Sequence, residues 1–223
     1  MNILHELEEF INEFNQDNKE DFSIDSIRVE FSKQHKQEEL KELGKWSKIK
    51  KNSPLISKLK KRLTDNEITS VWRLENHNIY YYNMQDTPKY RRATLVIFGM
   101  KQYHKKAPPR ELVFKVLSVL KNVSNIDICL DLSYKPNLKA LSKYFTLTPY
   151  ITKDGVITDT SYINDTGIPM IDKITIYNKG FKNKLDCILW RIEAMISIPN
   201  FKALALPLHE FKEIIDIART THD

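Results

Sequence analysis

The sequence predicts an α+β domain built on a largely antiparallel sheet, with helices packed mainly on one face. Three observations lead there. Strand-like segments outnumber helical ones along the 223 residues. The helical segments are inserted singly, without the strict strand–helix alternation of a parallel sheet. The segment NIDICLDLSY at 125–134 alternates strictly, with Ile126, Ile128, Leu130 and Leu132 on one side and Asp127, Cys129, Asp131 and Ser133 on the other, as in a strand that turns one face to a core.

Taken in order, residues 3–15 set Leu4, Leu7, Phe10, Ile11 and Phe14 on one helical stripe. Residues 24–31 (IDSIRVEF) alternate as a strand. The lysine-rich stretch 34–63 predicts helices at 37–46 and 54–63, Pro54 suiting the first turn of the second. Strands follow at 68–74 and 78–83, joined as a hairpin through Glu75, Asn76 and His77, and a third at 92–100. In 109–121, Leu112, Val113, Val116, Leu117 and Leu120 form one apolar stripe behind Pro109. A short helix at 137–145 and strands at 148–152, 156–163, 171–178 and 187–196 come after the alternating segment, and an amphipathic helix at 207–219 closes the chain. The first 90 residues read as an acidic helix, the lysine-rich segment and the first strands; 91–223 read as the chemistry-bearing half of the same domain.

Composition excludes several classes. The five glycines include no G-x-G, so a dinucleotide fingerprint and a Walker A loop are absent. The histidines are never closer than the 13 residues between His209 and His222, which excludes H-x-H and H-E-x-x-H metal sites. Cys129 and Cys187 sit in apolar runs, suiting buried thiols in a reducing compartment. The acidic amphipathic start does not resemble a secretory signal, and no apolar run approaches the ~20 residues of a membrane span. The expectation is a soluble cytoplasmic protein.

Charge is segregated. Residues 1–25 carry eight acids against Lys19, whereas 33–63 carry eleven Lys or Arg against three Glu, and 89–110 carry seven bases and no acid. The two basic blocks together hold +15 in a chain whose net charge is +6. Such clustering is the footprint of a polyanion partner. The expected nucleic-acid contacts are Lys45, Lys48, Lys50, Lys51, Lys58, Lys60, Lys61, Arg62, Arg91, Arg92, Lys101, Lys105 and Lys106.

Several strands carry polar residues in a pattern that fits phosphodiester chemistry. Asp127 and Asp131 share a face, ~13 Å apart by strand rise, too far to ligate one ion together, though either can meet a carboxylate from a neighbouring strand. Arg191 and Glu193 share a face in ILWRIEAMI; Lys173, Thr175, Tyr177 and Lys179 line one side of KITIYNK; Tyr162 lies where DTSYINDTG enters a polar turn. A tyrosine hydroxyl can attack phosphorus and retain the bond energy as a phosphotyrosine. A phenol of ordinary pKa about 10 needs a base, a lysine or a metal to do so. Carboxylates can hold Mg²⁺ or Mn²⁺, and Arg or Lys can offset the developing charge.

The succession TLVIFGMKQY, a helix, NIDICLDL, TSYIND, KITIYNKG and LWRIEAMI resembles the catalytic domain of plasmid rolling-circle replication initiators of the Rep-trans type, with filamentous-phage initiators sharing parts of the layout. The resemblance covers residues 92–197. It implies a replication-initiator nickase fold and a DNA endonuclease that nicks one strand at an origin and keeps the 5′ phosphate on Tyr162. It further implies Tyr177 and Lys179 as a Y-x-K pair and Arg191 with Glu193 as an R-x-E pair. Mg²⁺ or Mn²⁺ would sit near Glu193 and one of Asp127 and Asp131. DNA is the implied partner, and a host helicase and a second copy, the latter through the apolar face of 3–15, are the further partners considered. Where that family has Gly-Ser-Arg after its tyrosine, this chain has Ile163, Asn164 and Asp165, and Asn125 stands where the family often has Arg.

Other readings remain open at this stage. The same fold can bind DNA without catalysis, or act as a metal nuclease that uses water. A single-strand RNA or DNA binder would use Tyr80, Tyr81 and Tyr82 as a stacking platform. Tyr177, or one of Tyr80–Tyr82, competes with Tyr162 as the nucleophile.

Overall fold

The computed structural model describes residues 2–63, 68, 70–83, 92–102, 106–199 and 203–221, the side chains of 33–35, 83 and 92 excepted. The chain is α+β and its strand pairing is antiparallel. It forms two compact units, one of residues 1–19 and 25–124, the other of 20–24 and 125–223. The first unit runs on to Ser124, and the strand that begins at Arg92 pairs within its sheet.

The first unit contains helix α1 (Ile3–Asn18), strand β1 (Ser23–Ser32, whose first two residues belong to the second unit), α2 (Lys33–Lys41), β2 (Trp46–Lys48), α3 (Pro54–Leu63), β3 (Ser70–Leu74), β4 (Ile79–Asn83), β5 (Arg92–Ile97) and α4 (Arg110–Leu120). Its strands run in the order β2-β3-β4-β5-β1. Helix α1 forms because Leu4, Leu7, Ile11 and Phe14 recur at helical spacing and are buried, while the Asn2 side chain accepts the N–H of Leu4 at its start. One sheet face carries Val71, Tyr80, Tyr82 and Val96 and is sealed by Ile56, Leu59 and Leu63 of α3. The other face, with Ile27, Val29, Leu95 and Ile97, is fully buried as well, so in this unit both faces of the sheet are covered.

This packing disposes of the stacking platform. Tyr80 and Tyr82 lie beneath α3, and Tyr81 packs on the opposite face against Phe31, Trp46 and Trp72, with ring centroids 6.3, 4.9 and 6.0 Å away. All three tyrosines are buried. Rings enclosed in this way have no face left for a base.

The second unit contains β6 (Asn125–Leu132), α5 (Leu138–Leu141), β7 (Thr148–Ile151), β8 (Ile157–Ile163), β9 (Ile171–Asn178), α6 (Lys179–Asn183), β10 (Trp190–Ser197) and α7 (Ala205–Ala218). The strand order is β7-β8-β9-β10-β6. Both units thus place a first strand beside the last of the four that follow it. Ile126, Ile128, Ile174, Ile176, Ile192, Ala194 and Ile196 form the apolar face of the second sheet and are fully buried. Helix α7 packs on β10, burying Leu208, Phe211, Ile214 and Ile215. Residues 20–24 join this unit through Phe22, whose ring lies 5.0 Å from that of Phe211, and through Glu20, which accepts two hydrogen bonds from Arg219.

Two short elements escape sequence reading, β2 and α6. Only pairing with β3 makes Trp46–Lys48 a strand. No described helix is long and apolar enough to cross a membrane.

Burial raises the phenol pKa of both Tyr80 and Tyr81 above its ordinary value of 10.0. The folded state therefore holds these protons more tightly than the unfolded chain, and their contribution to stability is full below pH 10 and lost as pH rises toward the folded value. Denaturant unfolding measured above pH 10 should show falling stability, and Tyr81→Phe should flatten that fall. An unchanged slope in the variant would contradict the account.

Candidate functional site

One face of the second sheet gathers the polar side chains singled out from the sequence. Directly opposed residues of antiparallel strands share a face, so the register can be followed as rungs. Asp131, Arg191 and Tyr177 form one rung across β6, β10 and β9. Cys129, Glu193, Thr175 and Tyr162 form the next, which reaches β8. Asp127, Met195 and Lys173 form the third, and Asn125 with Ser197 the last. Tyr162, Tyr177, Arg191, Glu193, Asp127 and Asp131 accordingly stand together. Lys179 follows β9 as the first residue of α6 and is buried.

The strongest contact on this face is an ion pair. Arg191 donates from Nε to Asp131 Oδ1 at 2.6 Å and from a terminal nitrogen to Oδ2 at 2.7 Å. Its side chain is 0% exposed and that of Asp131 12%. A guanidinium taken out of water needs this two-pronged geometry to offset its lost hydration. Both Asp131 oxygens are thereby engaged, which makes this aspartate a holder of Arg191.

Around the pair, the Tyr177 hydroxyl donates to Glu193 Oε2 over a long 3.4 Å. Lys182 Nζ stands 4.4 Å from the Tyr177 ring centroid. Tyr162 is half-buried. Lys173, one diagonal step away on β9, places Nζ 4.2 Å from its ring centroid, and Tyr150 meets it edge-on at 6.4 Å. The sequence puts Lys173 on the same side of its strand as Tyr177 but assigns it no role. The missing information is the β8–β9 register, which alone brings Lys173 to Tyr162. At the far end, Asp172 accepts from Ser197 Oγ at 2.6 Å and from Asn125 at 3.4 Å, tying the strands beside the irregularity at Met195 and Ile196.

A divalent cation would find few ligands here. Among the described residues no three His, Cys, Asp or Glu side chains converge to hold a metal. Glu193 lies diagonally between Asp127 and Asp131 on the neighbouring strand, and Asp131 is committed to Arg191. Besides Asp131 this face carries half-buried Glu193 and buried Asp127; two such carboxylates would suit Mg²⁺ or Mn²⁺ with water completing its shell rather than an ion that needs a full protein cage.

Among the expected nucleic-acid contacts, Lys45, Lys48, Lys50, Lys51, Lys58, Lys61 and Lys106 are exposed, and Lys60 and Lys101 half-buried. The first four lie on or beside β2, an edge strand of its sheet. Arg62 is used otherwise: its guanidinium sits 3.8 Å from the Phe98 ring centroid and 3.5 Å from the buried Asp25 carboxylate. Arg91 and Lys105 lie outside the described residues, as does the Arg92 side chain.

No protein-family model and no curated protein matches this sequence. Among solved structures, the chain is similar to a rolling circle replication initiator protein from Geobacillus stearothermophilus, at 14% identity and a TM-score of 0.43, over 87% of this chain and 78% of that one.

Removing Asp131 leaves Arg191 as a buried charge without its carboxylate. Asp131→Ala should lower unfolding free energy by about 3–5 kcal/mol in urea titrations. The apolar double replacement Asp131→Leu with Arg191→Met should recover most of the loss. Equal losses in the single and double variants would show that the pair is not what holds these strands.

Proposed function

We propose that this protein is a DNA strand transferase of the rolling-circle initiator type, with Tyr162 as its nucleophile. The observation that carries the reading is the rung Tyr162, Thr175, Glu193, with Lys173 against Tyr162 and Arg191 fixed one rung along. Thr175 is a short side chain, so Tyr162 and Glu193 face each other across about two strand spacings, ~9–10 Å between backbones. That width admits a phosphodiester between them.

Lys173, over the Tyr162 ring, supplies positive charge where the phenol must lose its proton. The Tyr162 phenol releases its proton to solvent, its oxygen attacks phosphorus to form the phosphotyrosine bond, and the expelled 3′ oxygen takes up a proton to leave as a 3′ hydroxyl, with the 5′ phosphate kept on the protein. Arg191, held in one orientation by Asp131, offsets charge developing on the phosphate without reorganising at the moment of reaction. Glu193 and Asp127 would hold Mg²⁺ or Mn²⁺, which supplies polarisation of a non-bridging phosphate oxygen when bound. Tyr177, hydrogen-bonded to Glu193, orients that carboxylate, and Lys179, buried at the end of β9, supports the same strand end. The exposed lysines around β2 and α3 would bind DNA through its phosphates, fixing position without reading sequence. The setting is a plasmid or phage origin in the cytoplasm; a host helicase and a second copy of the chain are partners this role would call on.

Wild type and Tyr162→Phe, incubated with Mg²⁺ or Mn²⁺ and single-stranded oligonucleotides or supercoiled plasmid, should differ on denaturing gels. A covalent protein–DNA adduct is expected in wild type and absent in the variant. An adduct that survives moves the nucleophile to Tyr177, and nicks without any adduct indicate hydrolysis by water.

Replacing Lys48, Lys50 and Lys51 with Ala should weaken DNA binding about equally for all sequences. The slope of log affinity against log salt should fall by about 0.7–0.9 for each phosphate that the variant no longer neutralises. An unaltered slope would remove these lysines from the interface.

A further inference from the structure

We propose that the turn joining β9 to β10 is a stacking element for unpaired DNA, with Phe181 as the ring that a base stacks on. The proposal rests on the strand-transfer reading for the identity of the ligand and adds a site outside its reacting groups. Phe181 is 82% exposed and Ile188, on the returning arm, 68%. A chain free to bury such residues would turn them inward, and here the backbone prevents it.

The turn is fastened at several points. The Asn178 side chain accepts the N–H of Phe181 at 2.9 Å, and the Gly180 N–H donates to the Leu189 carbonyl at 2.8 Å. The Leu185 N–H donates back to the Gly180 carbonyl at 2.9 Å. A Cβ at Gly180 would collide with the carbonyl oxygen of Cys187, so the close approach of the two arms requires glycine there. Phe181 is thus presented outward on a pre-ordered backbone, which lowers the ordering cost of binding.

Charge and position select the ligand. Lys179, Lys182 and Lys184 occur in this turn with no acid before Asp186, and Lys184 is exposed. Lys182 links the turn to the site face through its contact with the Tyr177 ring. The turn leaves β9 and enters β10 at the pair Asn178 and Trp190, one step beyond the rung of Tyr177, Arg191 and Asp131. An exposed aromatic beside lysines, next to a face suited to a phosphodiester, matches the combination that holds single strands: bases on a ring, phosphates on cations. Duplex DNA hides its base faces and would not use it.

The test compares wild type, Phe181→Ala, Phe181→Trp and the control Tyr144→Ala by anisotropy of a fluorescein-labelled single-stranded DNA at low salt. Because the Phe181 ring is exposed, Phe181→Ala should keep the wild-type thermal melt. It should bind the single strand about tenfold or more weakly, the effect of losing one base–aromatic stack. Its binding to a duplex of the same sequence should match wild type. Phe181→Trp should bind within about threefold of wild type, and its added indole fluorescence should be quenched by the DNA. Tyr144→Ala, which removes an exposed ring outside this turn, should bind as wild type does, showing that the loss belongs to the turn. Wild-type affinity in Phe181→Ala, or indole emission in Phe181→Trp that ignores DNA, overturns the stacking proposal and leaves the strand-transfer reading standing. Failure of wild type to bind any DNA overturns both. Light scattering that shows a dimer in wild type but a monomer in Phe181→Ala, with DNA affinity retained, would assign the turn to a second copy and also overturn it.

Discussion

A slip of one residue between β10 and β6 would turn Arg191 and Glu193 into the apolar core and Trp190, Ile192 and Ala194 out of it. The face that carries the candidate chemistry depends on that slip being forbidden. Hydrophobic alternation opposes it along all of β6, β9 and β10, but alternation alone also tolerates a shift of two. The Arg191–Asp131 pair removes that freedom, because a guanidinium that is 0% exposed has its carboxylate only in the observed register. Once Arg191 is opposite Asp131, Glu193 must be opposite Cys129, and Thr175 and Tyr162 follow across the next two strands. An interaction of doubtful net value for stability is thus well suited to specifying position.

The two units show how one strand order serves different ends. Each places its first strand beside the last of the next four. In the first unit α3 closes over Val71, Tyr80, Tyr82 and Val96, and Ile27, Val29, Leu95 and Ile97 on the opposite face are buried too, so the middle of that sheet offers no face to a ligand. In the second unit α7 packs on β10 over the apolar face, while Lys173, Thr175, Glu193 and Tyr162 on the other face remain half-buried. A triple tyrosine is therefore core in one sheet, and a lone tyrosine is the candidate nucleophile in the other. Exposure, not residue type, separates them.

That contrast also marks what could be read without coordinates. Strand positions and their faces were legible wherever apolar and polar residues alternate, as in 125–132 and 190–197, because burial of one face demands period two. The existence of α1, α3, α4 and α7 was legible from apolar stripes. Partnership between strands was not. Nothing in the sequence says that Asp131 meets Arg191 rather than a metal, or that Lys173 meets Tyr162, since both depend on register. Tyr80–Tyr82 misled for a related reason: a strand covered on both sides has no polar face to betray its burial, and aromatics suit a core as well as a ligand. The strand β2 and the turn helix α6 are short enough that tertiary contacts alone define them.

The segregated charge acquires a meaning in the fold that a net value conceals. The acidic segment 1–25 places Glu8 on Arg110, Asp25 beside Arg62 and Glu20 on Arg219. Arg73 donates to the carbonyls of Asn76 and His77, Arg191 holds Asp131, and Arg28 is buried. Each arginine with a described side chain is therefore either buried or paired within its unit, Arg62 and Arg110 pairing while still exposed, and a planar fork of donors can satisfy several acceptors at once. The cations left outward around β2 and α3 are lysines, which offer a compact charge and no fixed geometry. Such groups attract a phosphate backbone strongly and discriminate little among sequences. The acids of the first 25 residues thus do more than lower the net charge. By engaging arginines, they leave mainly lysines as the cations that stand outward around β2 and α3.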